Sequence, residues 1–465
     1  MSQPALFLEK IRNGDELGAR EQRRLILFLA WPAILAHISV TVMQLIDAAM
    51  VGRLGTDASA AIGLMSSTTW LVNGVLSGIN YGFSVQCAQA IGAGDIPMAR
   101  RLCRQGLLAG LVCSLVVGGA GAAMSAWLPV WLGGSAEIVP LSAGYIRIYF
   151  LALPFSLLNS CAVVMLQSAG DTKVPGLAEI VMCGLDVAFN AWFIYGMGLG
   201  VVGAALGTAA SVVAAGLFLV YRVLCRDRFL KGRVRPQFSR DTLLRAVRIG
   251  VPVSAEQLIT GSSYVVFTRI VSGLGTVAIA ANSFAVTAES LCYMPGYGTA
   301  SAASAIVGQC VGAGRTDLTR QISWRITRTG IGMMAVSGAV MFVLAPWLMA
   351  LLTNVPEVIS MGTDLLRLEA FSEPMYGASI VIIGILRGRG ETVWPAVLSF
   401  LSIWCVRIPL AAWLASVYGL FGAWVAMGIE LNFRGVLFLL RLHRTSAQNG
   451  ACPDSSAGRS ASKKG

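Results

Sequence analysis

The sequence predicts an all-α integral membrane protein, with twelve transmembrane helices in two six-helix lobes related by a parallel pseudo-twofold repeat along the membrane normal. Three observations predict it. The first is a duplication: the stretch from Trp31 to Gly94 recurs 220 residues later, so that Pro32 returns as Pro252, Leu54-Gly55-Thr56 as Leu274-Gly275-Thr276, and the QxxGAG run Gln89 to Gly94 as Gln309 to Gly314. The same offset relates Arg147 to Arg367, Pro154 to Pro374, Gly170 to Gly390 and Pro175 to Pro395. The second is composition, since 56% of residues are hydrophobic, only 12% are charged, and the mean hydropathy is +0.71. Soluble domains carry about twice that charge. The 52 glycines suit helices packed in lipid, where small residues let backbones approach. The third is the placement of basic residues, which cluster in alternate loops.

Apolar runs of about 20 residues, the length needed to cross the hydrocarbon, place the N-lobe spans near 25–50, 58–88, 102–126, 141–167, 174–195 and 201–222. The C-lobe spans fall near 247–271, 277–306, 323–351, 358–386, 392–414 and 420–440. Five basic residues from Lys10 to Arg24 precede the first span. Arg100, Arg101 and Arg104 follow the second, Lys173 the fourth, and nine between Arg222 and Arg248 the sixth. In the second half the clusters are Arg315 to Arg328, Arg387 with Arg389, and Arg441 to Lys464. Loops 127–140, 196–200 and 352–357 contain none. Because short cytoplasmic loops retain Lys and Arg, both termini are expected in the cytoplasm of a multi-pass protein of the cell (inner) membrane. The net charge of +12 is then a topology signal rather than a nucleic-acid footprint. Six spans per half is an even number, so both halves enter the bilayer in the same sense and the repeat is parallel. Duplicated membrane halves of this kind imply an alternating-access transporter with its site between repeats.

The expected domains are a cytoplasmic N-terminal segment 1–24, an N-lobe 25–222, a polar Arg-rich cytoplasmic linker 223–246, a C-lobe 247–443 and a disordered cytoplasmic tail 444–465. No short apolar core with a cleavage site precedes the first span, so that span is expected to be retained. The ten cysteines are scattered singly and read as packing residues, and there is no Walker loop, HExxH or GxSxG. An enzyme is therefore not expected, nor a metal, a cofactor or an obligate protein partner.

Several runs together resemble one family. They are Asp47-Ala-Ala-Met-Val-Gly52-Arg-Leu-Gly55, the paired QxxGAG ends, Met294-Pro295-Gly296-Tyr-Gly298, Leu386-Arg387-Gly388-Arg-Gly390-Glu-Thr392, and Phe193-Ile-Tyr-Gly196 followed by Gly200-Val-Val-Gly203. Their order and spacing over residues 22–443 are similar to the multidrug and toxic compound extrusion (MATE) family. The resemblance implies cation-coupled export of organic, often cationic and lipophilic, compounds.

Ionisable residues within the hydrocarbon give an independent route to mechanism, because each costs a few kcal/mol without a partner or a watery cavity. Asp47 falls near the outer end of the first span. Asp186 and Asn190, one turn apart on the fifth, reach the same depth, and Glu179 extends their polar stripe. Two carboxylates held close in low dielectric cannot both ionise cheaply, so one holds a proton until a gradient or a cationic ligand removes it. The resemblance implies an N-lobe coupling site with an Asn-x3-Asp on the fifth span. Here the order is swapped, and Asn159 and Thr208 are carried over as bridging groups. H+ is the expected coupling ion, with Na+ possible, because the acids that mark the Na+-coupled subgroup are replaced by Thr260 and Tyr376.

In the second half Glu256, Glu289, Glu369 and Glu373 are candidates for the substrate cavity, as are Glu179, Gln44 and Tyr376. Arg407 could instead pair with Glu369 or Glu373, Arg367 with a neighbouring glutamate, and Glu430 with Arg434 at i,i+4. Pro32 removes a helix hydrogen bond and is read either as a fixed kink or as a hinge. His37 is expected to pack against a neighbour. Trp70, Trp127, Trp131, Trp347 and Trp424 fit an interfacial belt. The expected function is cation-coupled antiport of organic cations. The alternatives are a flippase of lipid-linked saccharides and a non-transporting membrane receptor.

Overall fold

A computed structural model of the chain describes residues 3–232 and 239–448. Part of the linker and most of the tail, with Arg233, Arg235, Arg459, Lys463 and Lys464, lie outside the described residues. The described chain is helical throughout. The first half contains α1 (Gln3–Asn13), α2 (Ala19–Gly52), α3 (Thr56–Gly92), α4 (Ile96–Met124), the single turn α5 (Leu128–Trp131), α6 (Ile138–Ser168), α7 (Lys173–Ala191) and α8 (Gly200–Tyr221). The second contains α9 (Arg240–Ser272), α10 (Thr276–Gly312), α11 (Thr316–Leu352), α12 (Pro356–Ala370), α13 (Glu373–Arg389), α14 (Val393–Ser402) and α15 (Ile408–Gln448). Wider π-helical turns extend α7 over Trp192–Gly196, α8 over Arg222–Arg226 and α14 over Ile403–Arg407.

Among the described residues, eight helical stretches are long and apolar enough to cross a membrane, and the bent pair α12 and α13 makes a ninth. One of the eight runs 53 residues, from Val393 to Thr445, and turns back at Gly419, whose φ of 60° is open to a residue without a side chain. It therefore supplies two spans. The last two spans are α3 and α9, which pack against each other across the lobe boundary, where Ser254 Oγ on α9 donates to the Val75 carbonyl on α3 at 2.6 Å.

Three features depart from the sequence reading. The first span begins at Ala19 rather than near 25. The N-terminal segment contains α1, which buries Phe7, Leu8 and Ile11 in the same core as Ala302, Ile306 and Ile322 of the second half. The tenth span is broken, with α12 and α13 meeting at 59° between Glu369 and Glu373. The equivalent proline in the first half, Pro154, lies inside the continuous helix α6. In the second half Ser372 stands before Pro374 at the N-cap position of the new helix, and its side chain accepts a 3.0 Å hydrogen bond from Asn432 on α15.

The lobes meet along α2 with α10 and α3 with α9. Backbone contact is close because glycine lies on both sides. A β-carbon on Gly82 would lie 2.6 Å from the Ala246 carbonyl, and one on Gly78 would lie 2.5 Å from that of Gly250. The first span belongs to both lobes. Its early part, Leu25, Ile26, Leu29 and Ile34, is buried among α10, α11, α13 and α15, whereas its distal part reaches α7. Pro32 lies within the early part, two residues before Ile34, and Gly176 on α7 accommodates it: a β-carbon there would stand 2.8 Å from the Pro32 carbonyl.

Candidate functional site: paired carboxylates and an inter-lobe clasp

Helices α2, α7 and α8 bring the N-lobe group together. The Asn190 amide nitrogen donates to Asp47 Oδ1 and to Asp186 Oδ2, each at 2.9 Å, so both of its hydrogens are used. Asp186 is fully buried and Asn190 nearly so. The Ser211 hydroxyl lies 3.1 Å from Asp186 Oδ1 and 2.9 Å from the Thr208 carbonyl. The side chain that touches the carboxylate is thus Ser211, three residues beyond the expected Thr208. Sequence reasoning missed it, although it shares a helix face with Thr208. Asn159 does not bridge the aspartates; its amide donates to Glu179 Oε1 at 2.9 Å, which makes a second polar pair one helix over. Among the described residues the carbonyl oxygen of Asn190 has no hydrogen-bond partner, and it is buried facing the place where Gly207 lacks a side chain. Gln44 is exposed, on the distal part of α2.

The C-lobe acids divide into two groups. Glu430 accepts from Arg407 at 2.9 Å, from Arg434 at 3.0 Å and from Ser402 at 2.6 Å, forming a buried triad of two guanidiniums around one carboxylate. Arg407 therefore pairs with Glu430, not with Glu369 or Glu373. The π-helical turn that ends at Arg407 inserts an extra residue into the helix at this point. Glu256 is also neutralised, by Arg387 at 2.9 Å, and the Arg387 guanidinium lies 4.7 Å from the ring of Tyr81 on the opposite lobe. Glu369 and Glu373 flank the break between α12 and α13, both fully buried; among the described residues the Glu369 carboxylate has no hydrogen-bond partner, while the Cys292 thiol faces Glu373. Glu289 is buried on α10. Tyr376 packs edge-on against Tyr293, and Arg434 lies 5.5 Å over its ring. His37 tilts against Tyr297 across the lobe boundary at 6.3 Å.

Two readings need correction. Arg367 lies 5.5 Å over the Phe342 ring instead of pairing with a glutamate. Trp424 is fully buried, its indole donating to Asn282 at 2.9 Å, and does not join a belt. Trp70, Trp127, Trp131 and Trp347 are exposed.

The QxxGAG repeats close one end of the lobe interface. The Gln89 amide donates to the Gly388 carbonyl at 3.1 Å, and the Gln309 amide donates to the Ser168 carbonyl at 2.7 Å. Donors and acceptors are each related by the repeat offset of 220, so the clasp is itself pseudo-twofold. Arg245 adds a 2.6 Å bond to Gln89 Oε1. At the centre, Gly92 and Gly312 face the backbone of the opposite glutamine. A β-carbon on Gly92 would lie 2.7 Å from Gln309 Cα, and one on Gly312 2.8 Å from Gln89 Cα.

Two pseudosymmetric bundles, clasped at one end and carrying buried carboxylate groups in their interiors, define a repeat-built membrane transporter rather than an enzyme. The MatE family model matches residues 32–192 and again 252–413, two copies that begin at the duplicated prolines. The chain belongs to the MATE family. It is 25% identical over 433 residues to the probable multidrug resistance protein NorM of Thermotoga maritima, covering 90% of this chain and 92% of the relative. It is 28% identical over 420 residues to the probable multidrug resistance protein YoeA of Bacillus subtilis, covering 87% and 89%. Among solved structures, a MATE protein in complex with MaL6 superposes with a TM-score of 0.90 at 21% identity, covering 97% of this chain and 100% of that one. An outward-facing multidrug resistance MATE transporter gives 0.90 at 21%, covering 96% and 99%.

Proposed function

We propose that the chain is a proton-coupled antiporter that exports lipophilic organic cations across the cell (inner) membrane by alternating access. The basic end of the bundle, where the QxxGAG clasp lies, is then cytoplasmic together with both termini, in keeping with the positive-inside bias. The clasped form is the outward-open limb of the cycle.

The observation that carries the reading is the Asn190 amide held between Asp47 and Asp186. Two carboxylates sharing one amide repel each other when both are charged, and a single proton relieves that repulsion. The bridging group also favours a proton over Na+, because its two N–H donors fill the space between the facing oxygens and would repel a metal cation there. Charged, the pair attracts an organic cation; protonated from outside, it releases the cation. Movement follows from α2, which hydrogen-bonds to this site beyond Pro32 and is packed into the second lobe's core from Leu25 through Ile34, around the proline itself. A change in the Asp47 bond therefore loads the proline and, through it, the lobe interface.

The test is reconstitution into liposomes with an imposed H+ or Na+ gradient, following a fluorescent organic cation. A pH gradient drives flux in the wild type, a Na+ gradient does not, and Asp47→Asn abolishes the response. Gradient-driven flux that survives Asp47→Asn overturns the assignment.

A further inference from the structure

Two cavities meet at the basic end of the first lobe. One, of about 780 Å³, is apolar and runs along α2 past Leu27, Trp31 and Pro32 to Met333 on α11 of the second lobe. Arg24 and Lys173 stand on its wall. The other, of about 510 Å³, shares Phe28 and Lys173 with the first and is lined by Arg222, Arg226 and Arg228. Its two acids are already engaged. Asp171 accepts from the Val174 amide at 3.1 Å and lies 3.8 Å from Arg222, and Asp227 accepts from the Phe229 and Leu230 amides at 2.9 and 2.8 Å. Among the described residues neither Arg24 nor Lys173 has a carboxylate within salt-bridge distance, and Lys173 rests 5.8 Å from the Phe28 ring.

We propose that this crevice binds one anionic phospholipid from the leaflet at the basic end, with the phosphodiester at Arg24 and Lys173 and an acyl chain beside Pro32. Charge complementarity selects this occupant. Basic pockets between spans hold anionic head groups, and the apolar channel behind these cations suits hydrocarbon. Arg24 and Pro32 are eight residues apart on one helix, so an acyl chain entering at the cations reaches the proline about 12 Å further in. The same cations repel an organic cation, which sets the crevice apart from the export path. The walls come from both lobes, so a bound lipid touches α2 at its proline and α11 together. Its occupancy favours the lobe arrangement in which the crevice exists, and transport becomes sensitive to the anionic lipid content of the membrane.

The experiment is native mass spectrometry of the full chain released from detergent with phosphatidylglycerol or phosphatidylcholine, alongside flux in liposomes containing either lipid. The wild type retains one phosphatidylglycerol in preference to phosphatidylcholine. Arg24→Gln with Lys173→Gln weakens that retention roughly tenfold or more, as loss of two near-surface charges requires. The charge-preserving pair Arg24→Lys with Lys173→Arg keeps it, which separates lipid binding from misfolding. Equal retention of the two lipids, retention unchanged by the glutamine pair, displacement by glycerol phosphate lacking acyl chains, or displacement by a lipophilic cation would each overturn the proposal.

Discussion

Adding one methyl group at the centre of the inter-lobe clasp tests the gating geometry directly. In Gly92→Ala the new carbon would stand 2.7 Å from Gln309 Cα, about 1 Å inside normal carbon–carbon contact, and its neighbours there are backbone atoms that cannot rotate away. Only separation of α3 from α10 relieves the overlap. Overpacking of this kind costs about 1–3 kcal/mol. Moving the backbones apart also stretches the Gln89 and Gln309 bonds, which are 3.1 and 2.7 Å long, each contributing about 1 kcal/mol. Because the lobes are separate bundles, the strain falls on the equilibrium between clasped and unclasped forms rather than on the fold of either lobe. A bias of 1–3 kcal/mol shifts that equilibrium by roughly five- to 150-fold. The assay is pulsed electron resonance between spin labels at Arg101→Cys and Arg320→Cys, two exposed positions on opposite lobes, in a background without native cysteines. The expected result is a longer distance population that grows in Gly92→Ala and in its repeat partner Gly312→Ala. An unchanged distance distribution in both variants would refute the clasp as the element that holds the lobes shut.

Three further outcomes follow from the same structure. Gly207→Ala places a methyl against Asn190, whose backbone nitrogen would lie 2.8 Å away, so the amide leaves the aspartates; proton-driven flux should fall by at least tenfold, with an overpacking cost of about 1–3 kcal/mol in stability, and wild-type flux would contradict the N-lobe site. Glu430→Leu strands Arg407 and Arg434 without an anion inside the second lobe and should cost about 3–5 kcal/mol, read as a large drop in unfolding temperature; an unaltered transition would mean the triad is not structural. Cysteines introduced in 127–140 should react with an impermeant reagent from outside intact cells, whereas those in 225–232 should not, and reversed labelling would invert the proposed topology.

What the sequence made legible was whatever carries a large energetic signal. Asp47 and Asp186 stood out because charge in hydrocarbon demands an explanation, and the shared direction of the first and fifth spans placed them at one depth. Ser211 gave no such signal: a hydroxyl in a helix satisfies itself on its own backbone, and only the packing of α8 against α7 turns it to Asp186. The partners of Arg387 and Arg407 were hidden for another reason. Which helix lies beside which is a property of the bundle, so Glu256 at 2.9 Å from Arg387 cannot be inferred from a separation of 131 residues. The broken tenth span shows the limit of repeat arithmetic. Pro154 and Pro374 are equivalent in position, yet one lies within an unbroken helix and the other begins a new one, because Leu-Ala-Leu before the first is replaced by Phe-Ser-Glu before the second. The short helix α1 was overlooked because Phe7, Leu8 and Ile11 are too few to register as an apolar run, although they complete a core built mainly by distant chain.

That last contact bears on biogenesis. Phe7, Leu8, Ile11, Leu25, Ile26, Leu29 and Ile34 share a core with Ala302, Ile306, Ile322 and Val381, close to 300 residues downstream, so this stretch meets only part of its native surroundings, such as Gly170 beside Leu8 and Gly176 beside Pro32, before the second half has been synthesised. The opening helix must be sheltered by lipid or by the insertion machinery during that interval. Its late docking onto the second bundle makes assembly of the two halves a single closing step, and a chain cut between them would leave the front of the first half with an unburied greasy seam.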